Sequence, residues 1–510
     1  MSRQAAELTR RLDWRFLLPR ATFRRAMLSE SDSALRDRAR RLGLAPVVVE
    51  RSDGEEADLM WISDADDLAV TNDLAVDGVV CCEVDRRRAP MLTPARLARR
   101  MGEAGLQPRG TWAVRPGLAR AESYVPIDHA APLPWYLKTQ YRTTSRLQRF
   151  VATGVRALVG RDGRRLARFA PFYVMVATRP DAYADSNGDA GSLLVLTDSG
   201  DRATCLWFPP DAREPRVVTK VPKSEAFVER TRREQLMMVD LHAQLGNDLV
   251  AALPQPLGLA PWGCVSSSRE SVVPGVSLAT RCKFGRFHAA NARLDLRVAS
   301  DWLARFQVAT MDGACDVAAN VDALFERYLE RFGDPGSGMI GQVRSLAATL
   351  PPIPSVIRHP DFNVWNLLRD GDRIHVIDWE GAAPGPPLCD LVQFAVHWHE
   401  CVTRRRPLMP DQDGLRALLV ERSQASAADA AVAEVFSRYM CRLAIPDQWF
   451  EVLAVTTWVE RALRRERQLV DAGSSREERD RNNFGVRYVE ALAGAWRHAP
   501  NAPTHDAGVP

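Results

Sequence analysis

The sequence predicts an α/β layer followed by an α+β body that finishes in a long run of helices. Three observations carry this expectation. Apolar runs alternate with helix-length polar stretches over residues 1–135, short apolar runs follow one another through Gly, Asp and Pro turns from about residue 169, and helical spacing dominates beyond residue 390. A chain of 510 residues is long enough for two to four domains.

Composition narrows the class. Hydrophobic residues make up 46% and charged residues 26%, the balance of a soluble globular protein. The formal net charge of +4 is small for this length, so no nucleic-acid partner is implied. Nine cysteines are scattered without C-x-x-C spacing, which argues against a zinc site, a redox pair or a disulfide framework and fits a reducing compartment. The first residues carry charges throughout, and no window approaches the ~20 apolar residues of a membrane span. The expectation is a cytoplasmic protein with no membrane span.

Taken in order, residues 24–28, 46–50, 57–62 and 77–84 read as strands, with a helix over 33–42 ending at Gly43. Alternation of this kind predicts a parallel sheet. Residues 126–152 begin with prolines and continue as a basic, aromatic helical pattern, read as a connector with a solvated face. Four further strands are expected at 172–177, 192–197, 203–208 and 216–221, joined as an antiparallel sheet. The last holds Lys220 between Thr219 and Val221. A helix over 224–245 follows, with Glu225, Glu229 and Glu234 each a possible partner for Lys220, and with Leu236, Val239 and Leu245 as its inward side. An extended segment at 270–275 ends at Pro274-Gly275. Helices then fill 296–350, with Trp302, Leu303, Phe306 and Val308 as expected core.

Residues 356–379 read VIRHPDFNVWNLLRDGDRIHVIDW. Two short strands at 364–368 and 374–377, joined by the turn at 369–372, would carry Asn366 and Asp378 to one end of a hairpin. Helices are expected from 391 to about 495, broken at 406–410 and 444–446, and a Pro-, Ala- and Gly-rich tail covers 498–510. Trp398, Trp458 and Glu460 are candidates to line a pocket, although most such positions are expected to be core or surface.

The ordered set His359-x-Asp361, Asn366 and the Ile-Asp378-Trp-Glu run resembles the catalytic and metal-binding segments of the aminoglycoside phosphotransferase and choline kinase family. Gly385-Pro-Pro-Leu-Cys-Asp390-Leu resembles the family's segment whose Asp supports the catalytic loop from a helix start. The resemblance covers about residues 190–470 and implies a two-lobed, α+β protein-kinase-like domain. It also implies ATP and Mg²⁺ as cofactors and transfer of the γ-phosphate to a hydroxyl or amine of a small-molecule acceptor. Asp361 would be catalytic, while Asn366 and Asp378, an amide oxygen and a carboxylate, would hold the metal. Lys220 paired with Glu234 would reach the phosphates. Glu270 and Val272 would belong to an inter-lobe hinge whose backbone binds adenine. A non-catalytic kinase-like scaffold or regulatory module is the alternative, and the completeness of the set favours the enzyme.

Residues 1–135 resemble the first part of a Rossmann-type methyltransferase, including an acid, Glu50, at the end of the second strand. Ser29-Glu-Ser-Asp-Ser33 stands where that fold needs glycines for close approach to a ligand, so the expectation is a degenerate Rossmann-like domain used for packing, a protein partner or regulation. The expected organisation is therefore 1–135, a connector at 136–168, lobes at 169–275 and 276–497, and a tail at 498–510.

Overall fold

The computed structural model describes residues 3–29, 33–50, 54–63, 71–140, 170–180, 191–197, 200–284, 289–403, 410–471 and 474–496. The centre of the Ser29–Ser33 turn, most of the connector, most of the 406–410 break and the 498–510 tail lie outside these. The chain forms two compact units, Met1–Leu236 with Gln255–Val272, and Met237–Pro254 with Val273–Pro510.

The first unit is built on one twelve-stranded sheet. Its strands are β1 (Arg25–Leu28), β2 (Val47–Val49), β3 (Ala57–Ile62), β4 (Leu74–Asp85), β5 (Gln107–Arg115), β6 (Ser123–Pro126), β7 (Phe172–Thr178), β8 (Ser192–Leu196), β9 (Arg202–Phe208), β10 (Val217–Pro222), β11 (Pro256–Trp262) and β12 (Val265–Ser271). Their order is β11-β12-β10-β9-β8-β6-β5-β7-β4-β3-β1-β2. β2, β1, β3 and β4 pair in parallel, as strand-helix alternation predicts. Alternate residues serve opposite faces: Trp61, Val79 and Cys81 enter one core, and Met60, Val80 and Cys82 enter the other. Burial on both faces explains why the apolar runs at 57–62 and 77–84 are nearly continuous.

Residues on either side of 136–168, expected to form separate domains, contribute to this same sheet. β7 lies antiparallel between β4 and β5, and β8 pairs with β6. The physical reason is edge satisfaction: each half of the sheet supplies the hydrogen-bond partners that the other half's edge lacks. A buried charge cluster joins the same two parts. Lys223 Nζ donates to Asp13 Oδ2 at 2.7 Å and to the Thr197 carbonyl at 2.9 Å, while Arg15 donates to the Lys223 carbonyl at 3.1 Å.

The second unit is mainly helical, with helices at Ala289–Ala309, Val317–Phe332, Met339–Ala347, Cys389–Thr403, Ala427–Arg442, Trp449–Asp471 and Phe484–Trp496. It also contains β13 (Val276–Ser277), β14 (Asp312–Cys315), β15 (Ile353–Arg358), β16 (Leu367–Asp370), β17 (Arg373–Val376) and β18 (Ala383–Gly385). Among residues expected in the core, Trp302, Leu303 and Phe306 are buried, but Val308 is exposed. The helix expected from 224 runs Val228–Gln244, and Leu236 and Val239 are exposed on it. Met238 and Leu241 form its buried side instead, and Leu245, just past its end, is buried as expected. Trp398 and Trp458 are core residues rather than pocket lining, with Trp458 stacked on Tyr488 at 3.9 Å between ring centroids.

Candidate functional site

The first unit gathers four charges on one face of the antiparallel strands. In the register Lys220 lies opposite Ser268 on β12 and Thr204 on β9, which places Glu270 and Arg202 two residues along on the same face. Lys220 Nζ donates to Glu234 Oε1 at 2.5 Å and to Glu270 Oε2 at 3.0 Å. Arg202 Nη1 donates to Glu234 Oε2 at 3.1 Å. Lys220, Glu234 and Glu270 are all buried. Burial raises the pKa of Glu270 above the ordinary value, Lys220 opposes that rise, and Glu234 adds to it. Of the three acids that the sequence left open for Lys220, the structure brings Glu234 to it.

Glu270 was expected at a hinge, but its side chain turns back on Lys220 because it lies inside β12. The hinge backbone is also partly engaged. The Ser271 N–H donates to the Gln255 carbonyl at 2.9 Å and the Val272 N–H to the Arg216 carbonyl at 3.1 Å.

The second unit assembles the segment expected to be catalytic from two directions. β16 and β17 pair antiparallel, and beyond them the Ile377 N–H donates to the Asn366 carbonyl at 3.0 Å. This brings Asn366 and Asp378 to the same end of the hairpin. Asp378 takes a left-handed backbone conformation, φ +69°, which the short side chain of Asp tolerates better than most.

From the other direction, Asp390 lies in the first turn of the Cys389–Thr403 helix and is buried. Its Oδ2 accepts the His359 N–H at 2.7 Å and Gln307 Nε2 at 3.0 Å, and its Oδ1 accepts Arg358 Nε at 3.4 Å. His359 in turn donates from Nε2 to the Ile377 carbonyl at 3.0 Å and accepts the Asp361 N–H on Nδ1 at 3.3 Å. One imidazole thereby ties the loop bearing Asp361 to the residue before Asp378, and its two bonds define its tautomer.

Asp361 is held on both oxygens. Oδ2 accepts Asn366 Nδ2 at 2.8 Å and Oδ1 accepts Arg461 Nη1 at 2.8 Å. Arg461 also donates to the Pro360 carbonyl at 2.8 Å. With its amide turned to satisfy both ends, Gln393 donates to that carbonyl at 3.2 Å and accepts from Arg461 at 3.3 Å. Burial pushes the Asp361 pKa up and Asp378 adds to that, yet Arg461 and Arg464 outweigh them and hold it below the usual carboxylate value.

The donor set fits a hard cation. Asn366 directs Nδ2 to the Asp361 carboxylate and carbonyl, which leaves its Oδ1 as an acceptor, Asp378 lies at the same end of the hairpin, and oxygen ligands of these two kinds suit Mg²⁺. Arg461, Gln393 and Arg202 are neighbours of the candidate residues that the sequence did not reveal. Arg461 is a hundred residues from Asp361 in a charge-rich helix, where spacing alone reads as a solvated face.

Residues 211–426 match the sequence profile described as the phosphotransferase enzyme family. No curated protein matches the chain. Among solved structures, the chain is similar to a choline/ethanolamine kinase family protein from Mesorhizobium loti, with 16% identity, 62% of this chain and 96% of that chain covered, and a TM-score of 0.34. It is similar to a glucosamine kinase, with 17% identity, coverage of 59% and 90%, and a TM-score of 0.35. A third is an aminoglycoside phosphotransferase from Streptomyces rimosus, with 15% identity, coverage of 54% and 94%, and a TM-score of 0.34. The family likeness is thus to phosphotransferase enzymes, and it extends over residues 211–426 of the chain.

Proposed function

We propose that the protein transfers the γ-phosphate of ATP to a hydroxyl or amine of a small-molecule acceptor. The observation that supports this best is the clamped, ionised Asp361 beside Asn366 and Asp378. When bound by Asn366 and Asp378, Mg²⁺ would neutralise charge on the phosphates. The buried Lys220, held by Glu234 and Glu270, is suited to a phosphate contact. Asp361 is suited to orienting rather than deprotonating the acceptor: a general base works best with a pKa near the working pH, and this one is depressed. A loose phosphoryl-transfer transition state demands little of a base. A screen of acceptors with labelled ATP tests the proposal, through a phosphorylated product that disappears in the Asp361→Asn variant.

Lys220→Ala and Asp378→Asn are each expected to reduce the thermal shift given by Mg·ATP, because one removes a phosphate contact and the other a metal ligand. Wild-type shifts in both variants would remove these residues from nucleotide binding.

The parallel part of the first unit is read as a degenerate Rossmann-like layer without its ligand. Ser29 accepts the Ser63 N–H on its side chain at 3.0 Å and donates its own N–H to the Trp61 carbonyl at 3.0 Å. Glu50 pairs with Arg36 at 3.2 Å. Ser29 and Glu50, which such a fold would offer to a cofactor, are thus engaged with the protein. Calorimetry on the full chain is expected to show no S-adenosylmethionine or dinucleotide binding at micromolar concentration. A dissociation constant of about 1 μM, on the order of −8 kcal/mol, would refute this. The full chain is needed because β7 and β8 complete the sheet.

A further inference from the structure

We propose that the acceptor carries an anionic group, a phosphate or carboxylate, near its reacting atom, and that Arg464 and Arg465 recognise it. The inference rests on the kinase reading of Asp361. The Trp449–Asp471 helix places Arg461, Arg464 and Arg465 at i, i+3 and i+4, on one face. Arg461 takes the Asp361 carboxylate. Arg464 Nη2 donates to the Glu380 carbonyl at 3.3 Å, and the same atom stands 3.4 Å from where a Cβ on Gly381 would be, so it lies against the segment that follows Asp378. Arg465 belongs to the same field. Burial and then Arg461 lower its pKa, while Asp361 opposes them. The Phe484 ring lies 5.5 Å from the Arg461 guanidinium and 5.6 Å from that of Arg465.

The acids of this helix that lie nearest take their hydrogen bonds from arginines of other elements, and Glu460 also feels Arg464 and Arg461. Glu460 accepts Arg358 Nη1 at 2.7 Å, and Glu466 accepts Arg331 Nε at 2.7 Å and Arg479 Nε at 2.9 Å. Arg461 bonds the Asp361 carboxylate, Arg464 and Arg465 also lie within its electrostatic reach, and Glu460 lies within reach of Arg464 and Arg461. Arg464 and Arg465 are half-buried rather than freely hydrated. A guanidinium has five N–H donors. The protein uses one of Arg464's at 3.3 Å, and Arg465 makes two long contacts, to the Asn482 carbonyl at 3.5 Å and to Gln468 Oε1 at 3.3 Å. Planar, pre-ordered donors of this kind suit a phosphate or carboxylate, and their charge disfavours an ammonium-bearing acceptor.

The test is calorimetry on the full chain saturated with Mg·ADP, using glucuronate, glucose 6-phosphate, glucose and glucosamine as probes. Wild type is expected to bind at least one anionic sugar about 10- to 100-fold more tightly than glucosamine, the range for hydrogen bonds to charged groups. The Arg464→Gln/Arg465→Gln double variant should lose most of that preference, with the Mg·ATP thermal shift as the control for folding. The inference is overturned if neither anionic sugar binds wild type more tightly than glucosamine does, or if the preference survives in a folded double variant. Failure of the kinase reading looks different, since it appears as an Mg·ATP response indifferent to Lys220→Ala and Asp378→Asn.

Discussion

Asp361→Asn is expected to lower turnover by about 10²–10⁴-fold while sparing Mg·ATP binding, because a positioned acid or base contributes a factor of that size. Both carboxylate oxygens of Asp361 are occupied by protein donors, Arg461 on one and Asn366 on the other, so the group is fixed before any acceptor arrives. Replacing it with an amide keeps the shape and removes the charge that would align the acceptor. Steady-state kinetics with a verified acceptor, read beside the Mg·ATP thermal shift, make the measurement. Full turnover in the variant would mean that Asp361 does not act on the acceptor.

The pH dependence follows from the sign of the shift. Asp361 titrates below the usual carboxylate value in the folded protein, so its ion pair contributes stability that is present above the unfolded pKa of about 3.9. That contribution is lost as pH falls through the lower, folded pKa. Between pH 5 and 8 the carboxylate stays ionised, and an acid limb of turnover in that window must come from another group.

That Asn366 and Asp378 would meet at one end of a hairpin was legible because the segment is local. Asp361, Asn366 and Asp378 lie within eighteen residues, and a turn signal joins two strands that do form a hairpin, the first shifted from 364–368 to 367–370 and the second from 374–377 to 373–376. Asp390 was singled out through the resemblance of its segment to the family's, and it does lie in the first turn of a helix and hold the loop before it. Long-range partners were not. Nothing in the spacing around Arg461 points to a carboxylate a hundred residues earlier, and Glu270 was assigned by the extended backbone around it while its side chain answers to strand register. The single sheet of the first unit escaped for the same reason. β7 pairs with β4 and β5 because of edges that exist only once the sheet is formed, and alternation along the sequence carries no record of them.

The largest expected loss of stability comes from Asp390→Ala. This buried carboxylate accepts the His359 N–H, Gln307 Nε2 and Arg358 Nε, and Arg358 also pairs with Glu460 at 2.7 Å. Removing it orphans a buried backbone donor and strips one of two acids from a buried guanidinium, a change that typically costs about 3–5 kcal/mol. For a unit of this size that corresponds to a fall in Tm on the order of 10 °C. Asp390→Asn should fall between wild type and Ala, since an amide oxygen can still accept the His359 N–H but brings no charge to Arg358. A useful comparison is Asp316→Ala, which deletes an exposed helix cap, the bond to the Ala319 N–H at 3.0 Å, and should cost only about 1 kcal/mol. Thermal unfolding of the three variants separates the cases: if Asp390→Ala shifts Tm no further than Asp316→Ala, the catalytic loop is not held from the helix start in the way described.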